Sequence, residues 1–390
     1  MSVFIPLINS STDISIYRRY YSESKIVRIS QGNRDIRLGS LKNKQIWFDP
    51  GIDIYDNWNQ YVDDDFWNRF LKFDDKSIFT KRKYTGRISR NDIEEFLESI
   101  LNKCPDLKPA WLSIPQLPLV NDNSRNKINK ILAELTYEWK QNNRFGGKLI
   151  LPLILTHKDQ SCYARHRNRI IKNARDCFDR AQASGTWIVD SSLSDWSGSN
   201  MLNAKKIPNI IKLHEGLNEE LPLDAITLAG PYWALNLILW ARGLVDYPVI
   251  GLGRGYKYNL AGGFARRGSA RIAIPPLLRW AKVSPELKHW LRKSIKVIKN
   301  NTEVYDQLNS LYRDFDIYED SDVAREQVAK FYQEWISSIE NIPSAGRALA
   351  LYQNFSKAFV IGKSIRNNIV SEKQARRPEQ VVKQFMFHCL

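Results

Sequence analysis

The chain has 390 residues, 43% of them hydrophobic, with a formal net charge of +16. That is enough apolar material for a sizeable core and enough length for two domains, or one large domain with an appendage. The positive excess points to an anionic partner, nucleic acid first, and the four scattered cysteines (Cys104, Cys162, Cys177, Cys389), with no CxxC spacing, exclude a zinc ribbon and a disulfide scaffold.

Residues 2–8 and 25–29 have the composition of strands. A basic segment, 31–44, leads into Gln45–Phe48, an apolar strand that delivers Asp49 into the Asp-Pro-Gly turn. After an acidic, aromatic stretch at 53–75 and a basic patch at 81–83, Asp92 is placed to N-cap a helix over 93–102. From there strand and helix alternate. Strands are expected at 110–114, 149–155 and 186–189, ending in Gln116, His157-Lys158 and Asp190-Ser191 respectively. Helices are expected at 124–139, 164–183 and 204–217.

The most hydrophobic stretch, 224–258, reads as strand (225–229), helix (232–242), strand (249–252) and a glycine-rich turn. Gly230-Pro231, Asn236 and Arg242 interrupt it and argue against a membrane span. A further strand is expected at 271–274, followed by helices at 286–300, 303–313, 322–339 and 345–364, and a loose tail or docking segment near 374–379.

The alternation predicts an α/β fold, a (β/α) TIM-barrel-like domain, regular or irregular, with an all-helical C-terminal region; a doubly wound open parallel sheet is the alternative. The division is 1–284 for the barrel-like domain (1–44 N-terminal strands and basic segment, 45–284 β/α repeats) and 285–390 for the helical region. The N-terminus lacks the pattern of a signal peptide, so a cytoplasmic protein away from membranes is expected.

Charge is unevenly spread. Residues 125–183 carry 13 Lys/Arg against 5 Asp/Glu, and 241–282 carry 8 against 1. In the helix at 164–183, Arg165, Arg169 and Lys172 share one face, opposite Ile170, Ile171, Ala174, Phe178 and Ala181. In the second cluster, Arg254, Lys257, Arg266, Arg267 and Arg271 alternate with glycines and tyrosines, a pattern suited to a phosphate backbone with stacked bases. A solvated basic face and a plain surface loop are the simpler accounts of the two.

In a parallel α/β fold the ligand site lies at the carboxyl ends of the strands. Those ends present Asp49, Gln116, Lys158, Asp190, Tyr232 and Arg254. Asp49 and Asp190 are the candidate catalytic pair, one stabilising an oxocarbenium or acting as nucleophile, the other as acid/base. Gln116, Lys158, Tyr232, Arg254 and Lys257 are the candidate substrate contacts. Metal-assisted hydrolysis through Asp49, Asp53, Asp190 and Asp195 ranks lower, for want of H-x-H or H-E-x-x-H spacing, and no metal or cofactor is predicted. There is no P-loop, dinucleotide fingerprint or nucleophile elbow.

A barrel with strand-end aspartates and a basic surface resembles, in architecture, the base-exchanging transglycosylase barrels that act on nucleic acid, without their cysteine–histidine zinc site. The first expectation is therefore an enzyme acting on nucleic acid or a nucleotide, by glycosidic-bond cleavage or base exchange. The second is a non-catalytic DNA- or RNA-binding subunit of a mobile-element or anti-phage assembly, docking a protein partner through the helical C-terminus. The third is a barrel enzyme for a small anionic metabolite.

Overall fold

The structure, a computed structural model, describes residues 2–8, 10–30, 41, 43–51, 89–102, 108–119, 123–155, 166–190, 207–253, 270–366 and 378–389. Eight parallel strands close into a barrel in chain order: β1 (Ile5–Ile8), β2 (Ile26–Ser30), β3 (Gln45–Asp49), β4 (Trp111–Ser113), β5 (Lys148–Leu155), β6 (Gly185–Asp190), β7 (Ile226–Ala229) and β8 (Tyr247–Ile250). Closure runs through β1 and β8, where Ile5 pairs with Val249. The TIM-barrel-like fold expected first is the one formed, and not the open doubly wound sheet.

The two N-terminal strands complete the count of eight. The strand at 271–274, by contrast, is β9 (Arg271–Ile274), which forms an antiparallel hairpin with β10 (Arg279–Lys282) outside the barrel. β8 starts at Tyr247, two residues before the apolar run from Val249, because Tyr247 and Pro248 register against Leu228 and Ala229 of β7.

The helices between strands are α1 (Ser11–Tyr20), α2 (Arg90–Leu101), α3 (Asn123–Asn142), α4 (Arg167–Ala181), α5 (Ile207–Glu220) and α6 (Ala234–Ala241). Composition alone did not suggest α1. Its signal is local: Ser10 caps the helix by accepting from the Asp13 amide, and Ile14, Ile16 and Tyr17 turn to the core. The cap of α2 is Ser89 rather than Asp92. Asp92 sits at the third position and returns its carboxylate to the Ser89 amide, a capping box. Eight residues of α6 lie between two barrel strands, with Ala234 to Trp240 all buried, so the hydrophobicity of this stretch belongs to the core. Among the described residues no helix is long and apolar enough to cross a membrane.

Beyond the hairpin come α7 (Pro285–Val297), α8 (Thr302–Arg313), α9 (Ser321–Glu340), α10 (Ser344–Arg366) and α11 (Pro378–Cys389). Of the segment 374–379, expected as a loose tail or docking segment, 374–377 lie outside the described residues and Pro378 opens α11, whose Phe385 stacks on Phe355 of α10 at 5.5 Å. β9 and β10 share an apolar cluster with α7 and α8. The helix α9 bridges the two, with Ala324 in this cluster and Val328, Ala329, Tyr332, Trp335, Ile336 and Ile339 in the outer layer of the barrel. Arg325 of α9 is ion-paired with Asp13 of α1 and donates to the Leu252 carbonyl just after β8 at 2.7 Å. Tyr332 donates to the Trp233 carbonyl at 2.9 Å. Gly253, at φ +83°, admits this approach, since a Cβ there would stand 2.3 Å from the Arg325 carbonyl oxygen.

Candidate functional site

Strand alternation divides the barrel into two layers. Facing inward from all eight strands are Ile5, Ile26, Trp47, Trp111, Ile150, Ile154, Trp187, Val189, Leu228 and Val249. Phe48, Leu112, Ile188 and Ala229, one residue out of phase, pack against the helices. The interior is aromatic. Trp47 meets Trp187 edge-on at 5.0 Å and Trp111 at 6.2 Å, and Trp111 meets Tyr247 at 5.5 Å.

Into this layer Arg28 projects from β2. It is two residues after Ile26 and in register with Trp47. Its guanidinium lies 4.3 Å from the Trp187 ring centroid and 5.5 Å from that of Trp47. It is ion-paired with Asp49, and both residues are 5% exposed. Asp49 shares the inward phase of Trp47 and also accepts from the Gly51 amide at 3.2 Å. Arg28 Nε has no hydrogen-bond partner among the described residues. The surrounding indoles are tethered, Trp47 to Ser113 Oγ at 2.9 Å and Trp187 to the Gly230 carbonyl at 2.8 Å. Among the described residues, the polar centre of the barrel's C-terminal end is therefore a buried Arg–Asp pair in a tryptophan cage. Arg28 was absent from the sequence-based candidates, although a single arginine in the apolar run Ile26–Ile29 was the available signal.

The other candidates fall elsewhere. Asp190 ends β6 opposite Leu155 and has the phase of Ile188, which faces the helices. Asp49 and Asp190 thus belong to opposite layers and do not form a facing carboxylate pair. Tyr232 is 2% exposed within the outer layer. Burial, and next the Asp190 charge, push its phenol well above the usual value. Gln116 donates to the Pro115 and Asn129 carbonyls at 2.9 and 3.1 Å, which ties down the β4–α3 connection. Lys158, Arg254, Lys257, Arg165, Arg266 and Arg267 lie outside the described residues, as do Asp53 and Asp195. No group of three His, Cys, Asp or Glu among the described residues is placed to hold a metal.

Of the remaining basic candidates, Arg271 lies over the Trp280 ring at 4.6 Å, half-buried, and that burial lowers its pKa. Arg169 and Lys172 lie on α4, whose buried face is Ile170, Ile171, Ala174, Cys177, Phe178 and Ala181. Along the seam between α4 and α3 cations meet carboxylates. Lys130 pairs with Asp176 and Arg180 reaches Asp176 at 3.1 Å and Glu134 at 3.2 Å, while Arg90 of α2 reaches Glu134 and Glu138 of α3 at 3.2 and 2.7 Å. Hydrogen bonds from Lys130 and then Arg180 hold the Asp176 carboxyl below its usual range. On the other side, between α4 and α5, runs a groove of about 650 Å³. A larger groove of about 1010 Å³ lies among α8, α9 and α10, away from the strand ends, with Phe331 and Trp335 in its wall.

The fold and these features define an α/β barrel whose described interior is filled by aromatic and aliphatic side chains around a buried ion pair. No protein-family model matches the chain, and no curated protein is significantly similar to it in sequence.

Proposed function

We propose that the chain is a nucleic-acid- or nucleotide-binding barrel whose contacts are made chiefly by cations on the outside of the fold. One observation carries this: the described strand-end candidates are engaged within the protein, while a net charge of +16 remains to be matched from outside. A polyanion is the partner that such an excess attracts most strongly. Its source, DNA or RNA, and a role within a larger defence or mobile-element assembly are parts of the same proposal. The expected location is the cytoplasm.

Catalysis on the nucleic acid is the second proposal. It is favoured by Asp49, the inward-facing carboxylate at the C-terminal end of β3. Acid/base or nucleophilic work there would fall to a single carboxylate held by Arg28, in place of the Asp49–Asp190 pair.

Fluorescence anisotropy of labelled duplex DNA, single-stranded RNA and a mononucleotide, followed through a salt series, tests the first proposal. Affinity for the polymers should fall by orders of magnitude between about 50 and 200 mM salt. A flat response, or no binding at the low-salt end, would remove it. Release of free base from the same oligonucleotides, abolished in Asp49→Asn, tests the second.

A further inference from the structure

The two flanks of α4 treat their cations differently. On the α3 side, Lys130 of α3 and Arg180 of α4 are matched to Asp176 and Glu134. On the α5 side, Arg167, Lys172 and Lys212 line the groove of about 650 Å³, and their side chains make no ion pair or hydrogen bond among the described residues. Lys172 and Lys212 are exposed, and Arg167 is part-exposed, at the first turn of α4. Asn168 adds a neutral polar group beside them.

The groove also holds carboxylates, and their placement matters. Glu215 is occupied by Arg242, at 3.0 Å. Glu219 and Glu220 lie at the far end of α5, where Arg175 donates to the Glu220 carbonyl and pairs with Asp179. The end nearest the start of α4 is therefore cationic, and the end nearest the close of α5 is mixed. Gly216 lets Ile171 pack close across the middle of the groove, since a Cβ there would come 2.6 Å from Ile171 Cδ1. No aromatic side chain lines the groove. A site built on cations without a stacking platform suits phosphates rather than bases.

We propose that the α4–α5 groove seats the phosphate backbone of a nucleic acid, through Arg167, Lys172 and Lys212, without regard to base sequence. This rests on the nucleic-acid function proposed above and assigns it a place. Exposed lysines left unpaired cost the fold little, whereas three neutralised phosphates release counterions and drive association.

The test compares two triple variants of equal charge in the full chain. One is Arg167→Ala/Lys172→Ala/Lys212→Ala. The other, a control, removes three exposed cations elsewhere, Lys282→Ala/Lys299→Ala/Lys357→Ala. Binding of a mixed-sequence duplex is measured across a salt series, with urea midpoints to confirm folding. The groove variant should flatten the log–log salt slope by about 2–3, near 0.9 for each lost duplex contact, and the control should leave it within about 0.5. Two duplexes of different sequence should lose affinity equally. If wild type binds with a steep slope and the groove variant keeps it, the groove assignment falls and the nucleic-acid function stands. If wild type does not bind, both fall. The single charge reversal Lys172→Glu gives a second readout, a loss of at least 10-fold at low salt, and an unchanged affinity would also overturn the assignment.

Discussion

Replacing Asp49 with asparagine removes the countercharge of a guanidinium inside the barrel. Arg28 and Asp49 are each 5% exposed, and the rings of Trp187 and Trp47 flank the guanidinium at 4.3 and 5.5 Å. Water cannot replace the lost partner there without opening the cage. Removing one member of a buried pair costs about 3–5 kcal/mol. The asparagine amide oxygen can still accept from Arg28 and from the Gly51 amide, so Asp49→Asn belongs at the lower end, about 3 kcal/mol. Arg28→Met leaves the carboxylate stranded and should cost a similar amount. Methionine can occupy most of the vacated volume, and the double variant carries no buried charge. It should therefore be more stable than the two single losses predict by about 2–3 kcal/mol, the coupling of residues in direct contact. Urea unfolding of the four proteins, at constant slope, measures that coupling. Additive losses, or an Asp49→Asn cost below about 0.5 kcal/mol, would show the two charges to be solvated and refute the plugged interior.

Three further outcomes follow from named contacts. Gly230 sits at φ +101°, and a Cβ there would stand 2.5 Å from Asn236 Oδ1 and 2.6 Å from the Val249 carbonyl oxygen; Gly230→Ala should lose about 2–3 kcal/mol in urea unfolding. His214 is fully buried in α5, and burial lowers its pKa from 6.5 to about 3. The unfolded chain therefore takes up a proton that the folded one refuses as the pH falls below about 6.5, and stability drops by about 2 kcal/mol between pH 7 and 5. His214→Leu should remove that part of the pH dependence, seen as a shallower loss of the urea midpoint over this window. Tyr332→Phe deletes the hydrogen bond to the Trp233 carbonyl at 2.9 Å and should cost about 1 kcal/mol by thermal unfolding, with α9 still docked through Arg325.

The barrel was legible because its strands are short apolar runs separated by helices with a clear polar and apolar face. Ile170, Ile171, Ala174, Phe178 and Ala181 form the buried side of α4 as their spacing implies. Which strands close the barrel was not legible, since closure depends on pairing between Ile5 and Val249, 244 positions apart. The hairpin at 271–282 looked like one more repeat because four residues of Arg-Ile-Ala-Ile carry no mark of the partner they choose. At the candidate site, chain position located the strand ends but not the direction of each side chain. A shift of one residue reverses the face. That single-residue phase separates Asp49, inside with Arg28, from Asp190, outside with Tyr232. Surface charge was visible in the composition, but its pairing was not. Arg175 and Arg180 each have a carboxylate four residues away on α4 itself, Asp179 and Asp176, a spacing open to sequence reading, whereas the reach of Arg180 to Glu134 of α3 and the place of Lys172 on the α5 groove depend on the neighbouring helices.

Lysine acetylation footprinting, read by mass spectrometry with and without a saturating duplex, tests the central claim most directly. Lys172 and Lys212 should react readily in the free protein and become protected by at least severalfold in the complex, while Lys282, Lys299 and Lys357, all exposed elsewhere, keep their reactivity. Undiminished reactivity of Lys172 and Lys212 in a complex shown to be saturated would contradict seating of the nucleic acid in the α4–α5 groove.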